Sequence, residues 1–309
     1  MSEPTVQDEH RLLKTNLKLL RLPTIGAEFE KLSREAAAEN QTYGQYLLQL
    51  TELELATRQA NALASRIKQA GFPVHKDLDS FDFSAMPSLN KQQVLELTRC
   101  QWIEQHYNAC LIGNAGTGKT HLATGLGLAA CRQGKRVRFF TAASLANQLE
   151  EAKQQYQLEK LLKKLDKVDL LIVDELGYLS FSRAGAELLF QVFADRYERG
   201  SILITTNLPF GEWGQIFQGE RMTAALLDRL THRCHIFEMN GPSYRFKEST
   251  QKQKAKAKPV PPNTPKAPAA RSGTKAKAKT KHQSTSKSET RPEVETDSDT
   301  EAEAKTKTQ

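Results

Sequence analysis

Residues 108–120 read NACLIGNAGTGKT, and this stretch decides the fold. NACLI is a short apolar run typical of a buried strand, and GNAGTGKT matches the pattern G-x-x-x-x-G-K-[ST]. The glycines let the backbone curl so that several N–H groups point at phosphate oxygens, and the helix that begins near Gly118 adds the positive end of its dipole. The alternative is a chance glycine turn before a helix. Because a strand precedes the loop and a helix follows it, we predict a phosphate-binding loop.

Two side chains of this loop have specific tasks. Lys119 is expected to reach the β- and γ-phosphates of a nucleoside triphosphate, and the Thr120 hydroxyl is expected to coordinate Mg²⁺. The residues predicted to bind the nucleotide are Gly113, Asn114, Ala115, Gly116, Thr117, Gly118, Lys119, Thr120 and His121.

The surrounding chain, residues 76–249, alternates short β-branched runs with helical runs. This alternation predicts an α/β domain with a parallel sheet. Strands are expected at residues 108–112, 136–141, 168–173, 201–206 and 235–239. Helices are expected from Gly118 to about Arg132 and from Ala184 to Arg199.

An acidic pair, Asp174 and Glu175, directly follows the apolar run VDLLIV. Carboxylates placed there emerge at the carboxyl edge of a parallel sheet, where phosphoryl groups bind. We expect Asp174 to hold Mg²⁺, directly or through water, and Glu175 to orient or deprotonate the attacking water. The alternative is a pair that caps the next turn, and the phosphate-binding loop at this distance favours the catalytic interpretation.

Polar and basic residues beyond the strand at 201–206 complete the predicted site. Asn207 could hold the same water near the γ-phosphate, although Asn before Pro209 is also typical of a turn. One arginine could act as a finger on the nucleotide of a neighbouring subunit, but each candidate could equally be a solvated surface residue. The candidates are Arg221, Arg229, Arg233 and Arg245.

Residues 1–75 are rich in helix-forming side chains and have helical periodicity. Breakers and threonine caps divide this stretch into three predicted helices. They are residues 12–22 before Pro23, residues 24–40 after a Thr24 cap, and residues 42–70 between a Thr42 cap and Gly71.

Basic residues on the first helix suggest a DNA-contacting face. Arg11, Lys14, Lys18 and Arg21 are spaced to share one side of a helix, with leucines on another side. We predict that this face contacts the phosphates of duplex DNA, and its alternative is the solvated face of a bundle helix. A second, weaker set of candidates consists of Arg58, Arg66 and Lys68.

The charge of the chain is concentrated at its C-terminal end. Residues 250–309 hold 14 basic and 7 acidic residues, whereas residues 1–249 hold 30 and 29. This tail has almost no large apolar residues, so we predict that it is disordered. Its basic part could bind nucleic acid, fold back on its acidic end or only aid solubility. The predicted domains are therefore residues 1–75, 76–249 and 250–309.

Several protein classes are excluded by composition. No apolar run approaches the ~18 residues of a membrane helix, and the N-terminus lacks the apolar segment of a secretory signal. The four scattered cysteines suggest neither a disulfide framework nor a zinc ribbon, and a reducing cytoplasm fits them best. The segment HRCH (232–235) lacks a fourth ligand with sensible spacing, so we treat its residues as ordinary helix-end and strand positions.

Several segments together resemble the IstB-like ATPases, helper proteins of IstA/IstB-type insertion sequences that are close to DnaC-type helicase loaders of the AAA+ group. The more specific segments are DELGYL (174–179) and FGEW (210–213), joined to a long helical N-terminal region. The others are GNAGTGKTHLATGLGLAAC (113–131), VRFFTAASL (137–145), ALLDRLTHR (225–233), GPSYR (241–245) and FDFSAMPSLNKQQV (81–94).

The resemblance implies an AAA+ domain preceded by a three-helix DNA-binding domain, in a protein of the bacterial cytoplasm. ATP binding would drive self-assembly on double-stranded DNA, and the assembly would recruit and stimulate a partner transposase. Hydrolysis would then remodel or release the complex. By position, the resemblance makes Lys119 and Thr120 the Walker A pair, Asp174 and Glu175 the Walker B pair, Asn207 sensor 1, Arg229 the arginine finger and Arg245 sensor 2. The tail after Lys247 departs from the family pattern.

Two other functions remain open at this point. The same fold could serve a replicative helicase loader, which would grip single-stranded DNA and a helicase. A different class of protein would use the nucleotide only to switch its assembly, with hydrolysis incidental.

Overall fold

A computed structural model describes residues 6–217 and 219–245. Its centre is a five-stranded parallel sheet with the strand order β2-β3-β4-β1-β5. The strands are β1 (Asn108–Ile112), β2 (Val137–Thr141), β3 (Leu170–Leu176), β4 (Ser201–Thr206) and β5 (Cys234–Glu238). This arrangement confirms the predicted α/β class and leaves the carboxyl ends of β1, β3 and β4 side by side at one edge.

Helices cover both faces of the sheet and form the N-terminal region. The described residues hold α1 (Val6–Leu19), α2 (Pro23–Ala38), α3 (Tyr43–Ala70), α4 (Lys91–Leu97), α5 (Gln101–Glu104), α6 (Lys119–Arg132), α7 (Ala142–Gln154), α8 (Leu158–Leu165), α9 (Arg183–Asp195), α10 (Gly214–Phe217) and α11 (Glu220–Thr231). The predicted tail, residues 250–309, lies outside the described residues.

Alternate residues of the strands pack into two separate apolar cores, one on each face of the sheet. On β1, Leu111 packs in a cluster with Leu122 of α6, whereas its neighbour Cys110 packs in a second cluster with Leu145 of α7. Successive side chains of a strand point to opposite faces, so a sheet covered by helices on both faces requires apolar residues at every position. This explains why the strands read as continuous apolar runs.

Several predicted boundaries need correction. The third strand begins at Leu170 rather than residue 168 and continues to Leu176, so the acidic pair lies within β3 and not after it. Helix α9 ends at Asp195 rather than at residue 199. Strands β2 and β5 each begin one residue away from the predicted position.

The residue that follows the last turn of α9 is a buried arginine. Arg196 donates hydrogen bonds to the carbonyls of Leu165 (2.9 Å), Val168 (3.0 Å) and Ser201 (2.9 Å). Burial lowers the pKa of its guanidinium to about 10. The side chain therefore joins the start of β4 to the chain that leads into β3, a role without a sequence signal.

The N-terminal helices also differ from the prediction. Helix α1 ends at Leu19, and Arg21 follows in the left-handed region with φ 57°, so Arg21 does not belong to the helical face. Helix α2 begins at Pro23, which fits the first turn because proline lacks the N–H that would be unsatisfied there. The predicted Thr24 cap is wrong. The Thr42 cap of α3 is confirmed, with Gln45 completing a capping box.

A carboxylate from another helix replaces the missing cap. Buried Glu54 of α3 accepts hydrogen bonds from the backbone N–H groups of Thr24 (2.8 Å) and Ile25 (3.1 Å), and from Arg58 Nε (2.8 Å). Burial acts to raise the pKa of Glu54, but these donors outweigh it and hold the pKa below its usual value. A negative charge at this helix N-terminus thus ties α2 to α3.

We expect Glu54→Gln to destabilise the N-terminal helices by about 2–3 kcal/mol, because the buried donors lose a charged acceptor. Since folding lowers the pKa of Glu54, its contribution is present at neutral pH and is lost as the pH falls through that lowered pKa. Denaturant unfolding of the full chain, with hydrogen exchange to locate the change, measures the effect. Exposed Glu52 of the same helix supplies the control Glu52→Gln, and equal destabilisation by both variants would contradict the capping role.

Helix α3 extends from the N-terminal helices to the α/β core. Its first half packs on α2 through Leu50, and its second half packs Leu63 and Ile67 against the core beside α6. Arg66 Nε donates to the Cys131 carbonyl at the end of α6 (3.0 Å). The predicted boundary near residue 75 falls in the connection that follows this helix.

Candidate functional site

A cavity of about 510 Å³ lies at the carboxyl edge of the sheet, where such folds bind ligands. The phosphate-binding loop after β1, the acidic end of β3 and the residues after β4 all reach it. Its lining includes most of the predicted nucleotide-binding residues and two of the predicted catalytic residues: Ala115, Gly116, Thr117, Gly118, Lys119, Thr120, His121, Glu175 and Asn207. Gly113 and Asn114 lie at the base of the loop.

The lysine of the loop is held against its own backbone. Lys119 Nζ donates hydrogen bonds to the carbonyls of Gly113 and Asn114, both at 2.7 Å. Burial lowers the pKa of this amine, and the nearby Asp174 carboxylate opposes that shift. The ammonium therefore lies beside the loop, and because it has three N–H donors, one remains for a phosphate oxygen while these two bonds persist.

Residues 243 and 244, near the end of the domain, contact the phosphate-binding loop. Gly116 has φ 80°, and a Cβ there would collide with the Ser243 side chain. The Tyr244 N–H donates to the Gly116 carbonyl (2.9 Å). Glycine is thus required at this position both by its conformation and by the close approach of residues 243 and 244.

The acidic residue at the end of β3 joins the loop through hydroxyl groups. Buried Asp174 accepts hydrogen bonds at Oδ1 from Thr120 Oγ1 (3.1 Å) and from Thr205 Oγ1 of β4. Burial raises the pKa of Asp174, and the two hydroxyl donors and Lys119 oppose that rise. The carboxylate and the Thr120 hydroxyl lie close enough to hold one ion between them.

Glu175 has an unusual backbone. Its φ is 60°, in a region that non-glycine residues rarely adopt, and the register between β3 and β4 shifts beside it. Its N–H donates to Thr205 Oγ1 (2.9 Å), and its side chain is exposed in the cavity. This register shift is a β-bulge, and it changes the direction of the Glu175 side chain from the one that a regular strand would give it. Thr205 was missed from the sequence, although a threonine inside a buried apolar strand is a signal.

The donor set fits Mg²⁺. A carboxylate and a hydroxyl are hard oxygen ligands, and Mg²⁺ bound to a nucleotide typically takes one or two such protein ligands, substrate phosphates and water. Thr120 and Asp174 would hold the ion, as predicted.

The arginine candidates separate into two groups. Arg245 lines the cavity, as expected of a residue that contacts nucleotide in the same chain. Exposed Arg229, on α11, is not part of the lining. Arg221 is also exposed, and Arg233 lies over the ring of Tyr107 at 5.8 Å.

The other wall of the cavity was not predicted as part of the nucleotide site, although the segment FDFSAMPSLNKQQV (81–94) that supplies some of its residues resembled the family. It comes from the connection between α3 and α4, which contributes apolar side chains, one serine, one lysine and one aspartate, and from residues near Tyr178 and Pro242. We call residues 77–81 of this connection the strap. The wall is formed by Pro73, Val74, Lys76, Ser80, Phe81, Asp82, Ala85 and Met86.

The predicted DNA-contacting residues are partly brought together. Lys14, Lys18 and Arg21 line a cleft beside α2 that Arg58 also lines, so the two predicted sets meet there. Lys14 also pairs with Glu30 (2.7 Å). The remaining candidates are exposed Arg11 and Lys68, and Arg66, which is engaged with α6.

The described residues offer neither a larger metal-binding cluster nor a membrane-spanning helix. Among residues 6–217 and 219–245, no cluster of three or more His, Cys, Asp or Glu side chains could hold a metal ion. None of the helices in the described part of the chain has both the length and the apolar character to cross a membrane.

Comparison with known proteins identifies relatives over most of the chain. The family model described as IstB-like ATP binding protein matches residues 15–252. The putative ATP-binding protein of insertion sequence IS5376 from Geobacillus stearothermophilus is 39% identical over 74% of this chain and 91% of its own length. The corresponding protein of IS21 from Pseudomonas aeruginosa is 37% identical over 76% and 89%. The AMPPCP-bound DnaA structure from Aquifex aeolicus has a TM-score of 0.48 and 22% identity over 60% of this chain and 56% of its own.

Proposed function

This chain belongs to the IstB-like ATP-binding protein family and is an ATPase of the AAA+ type, and from this premise we propose that it is the ATP-dependent DNA-binding helper of an insertion-sequence transposase. In this role it assembles on double-stranded target DNA with ATP and Mg²⁺ bound. The assembly recruits and stimulates the transposase, and hydrolysis releases or remodels the complex.

The observation that carries the proposal is the hydrogen-bonded chain of Thr120, Asp174 and Thr205 beside the phosphate-binding loop. It places the Thr120 hydroxyl, the Lys119 ammonium and the Glu175 carboxylate on the lining of one cavity, with buried Asp174 hydrogen-bonded to Thr120. A triphosphate in the loop would present its γ-phosphate to all of them. The apolar wall beyond the loop fits a nucleobase, since it supplies few charges and several apolar side chains.

Each residue has a separate task in hydrolysis. Backbone N–H groups of the loop and Lys119 hold the phosphates and neutralise developing charge. Thr120 and Asp174 would hold Mg²⁺, which would supply further charge neutralisation. Glu175, re-aimed by the bulge, takes the proton of the attacking water, and Asn207 orients that water. Arg245 contacts the phosphates from the same chain.

Arg229 would complete the site of a neighbouring subunit. It is exposed on α11 and lies outside the lining of its own cavity, as a residue supplied in trans must be. A finger in trans makes fast hydrolysis conditional on assembly. Self-association also offers a partner surface for the exposed leucines at and just after α1 and on α3, which are Leu12, Leu19, Leu20, Leu47, Leu48 and Leu55.

DNA contact is assigned to the basic cleft between α1, α2 and α3. Its cations lie on a helical unit that α3 joins to the α/β core, and the connection after α3 forms a wall of the nucleotide cavity. In this proposal nucleotide and DNA contact parts of the chain that α3 connects by packed contacts, which gives a physical route between the two sites.

Removing the cleft charges is expected to weaken duplex binding. In the triple variant Lys14→Gln, Lys18→Gln, Arg21→Gln, the slope of log affinity against log salt should fall by about 2–3, since each phosphate contact contributes ~0.9. Fluorescence anisotropy with labelled duplex DNA and a slowly hydrolysed ATP analogue, over a salt series, measures the slope.

A matched control removes three exposed lysines from the region of α8: Lys160→Gln, Lys164→Gln, Lys167→Gln. The control should retain the wild-type slope. An unchanged slope in the cleft variant together with a reduced slope in the control would move the DNA contact to α8. Electron microscopy of the wild-type chain under the same conditions should show rings or filaments on DNA. A monomer at every nucleotide condition would contradict assembly.

A further inference from the structure

The residue after the Walker A pair is bound to the opposite wall of the cavity. His121 Nε2 lies 2.9 Å from the Asp77 carbonyl oxygen and 3.2 Å from Ser80 Oγ, both on the strap. A carbonyl oxygen only accepts hydrogen bonds, so Nε2 carries the ring proton and donates it to the strap. The Ser80 hydroxyl donates to the same carbonyl (2.9 Å) and accepts a share of the His121 bond.

Further contacts hold the strap along α6. The Phe81 ring packs edge-on against the His121 ring, with centroids 5.2 Å apart. Arg132, at the other end of α6, pairs with the Asp77 carboxylate (3.1 Å). Leu78 lies so close to α6 that a Cβ on Gly125 would be 2.7 Å from its side chain. The strap is thus fixed to the helix that begins at the phosphate-binding loop.

We propose that His121 is a positioning residue that sets the base end of the nucleotide cavity by holding the strap, rather than a ligand of the phosphates. This inference rests on the proposed ATP-binding role of the cavity. With the Nε2 proton donated to the strap, Nδ1 can only accept, so the ring has no second donor to direct at phosphate. Phe81 and the apolar residues around it can form a defined surface for a base only if the strap stays in place.

The test compares a ligand that has a base with one that has none. In His121→Ala, ATP affinity should fall about tenfold, the effect of losing one hydrogen bond and the ordering it provides, with KM raised and kcat kept. Inorganic tripolyphosphate affinity should stay at the wild-type value. Isothermal titration calorimetry of the full chain without DNA measures both ligands, and the steady-state ATPase rate gives KM and kcat.

Two conservative variants distinguish positioning from packing. His121→Gln should recover most of the ATP affinity, because its amide nitrogen reaches about as far as Nε2, whereas His121→Asn is too short and should not. Exposed His75, just before the strap, supplies the control His75→Ala, which should bind both ligands normally.

Three outcomes would contradict the inference. A His121→Ala variant that binds ATP as wild type does would show that the strap contact has no role. Parallel loss of ATP and tripolyphosphate in both His121→Ala and His121→Gln would place His121 in phosphate binding. If the wild-type chain bound tripolyphosphate but not ATP, the proposed function would fail together with this inference. The wild-type measurement therefore distinguishes failure of the proposed function from the other two outcomes.

Discussion

Lys119→Ala is expected to lower ATP affinity by about 100-fold, the equivalent of roughly 2.8 kcal/mol, because charge-assisted hydrogen bonds to the phosphates are lost. The folded chain should persist. Lys119 Nζ bonds only to carbonyls of its own loop in the described structure, and those carbonyls can bind water in its absence. ATP-dependent DNA binding should disappear with the nucleotide. Calorimetry with ATP, followed by anisotropy with duplex DNA, measures the two losses.

Lys119→Arg is the matched variant, since it keeps the charge but changes its shape. A guanidinium is larger and planar, so it should restore only part of the affinity in a pocket built for a compact ammonium. Equal duplex binding by Lys119→Ala with and without ATP, at the wild-type level, would refute the coupling of nucleotide to DNA.

Glu175→Gln should slow hydrolysis by about 10²–10⁴-fold, the usual range for removal of a general base, while ATP and DNA binding are kept. The amide preserves the size of the side chain and leaves the Glu175 N–H bond to Thr205 intact. Assemblies on DNA should therefore form normally and persist longer. Single-turnover ATPase assays and the decay of preformed complexes after dilution measure the two effects.

Asp174→Asn separates the tasks of the acidic pair. It removes the charge expected to hold Mg²⁺, so ATP binding should lose its dependence on Mg²⁺, an effect that Glu175→Gln should not have.

If complexes of Glu175→Gln dissociated at the wild-type rate, release would not depend on hydrolysis. The nucleotide would then act only as an assembly switch.

The bulge at the end of β3 shows where sequence reasoning reaches its limit at the site. Two carboxylates after an apolar run predicted a metal ligand and a catalytic base at the sheet edge. Both residues instead lie within the strand, where Glu175 has a positive φ and an exposed side chain while Asp174 is buried. The register shift depends on how β3 pairs with β4, through partners such as Thr205. The residue pattern of β3 alone does not specify this pairing.

The N-terminal helices show a similar limit. Thr24 has the right residue type and position for a cap, yet Glu54, 30 residues later, takes its place. Proline at the first position already suits the helix start, so a distant buried carboxylate can satisfy the free N–H groups. The two basic sets were predicted separately along the chain, and the packing of α1 and α2 on α3 unites Lys18 and Arg58 in one cleft.

The sequence by itself determined the α/β class, the strand that precedes the phosphate-binding loop and the residues of the Walker motifs. These features depend on local periodicity and on short motifs whose chemistry needs fixed spacing. Only the tertiary structure decided that the strap walls the cavity, that His121 holds it and that Arg196 and Glu54 are buried. Such contacts join residues far apart in the chain, so they depend on how packed elements meet and not on the pattern within any one of them.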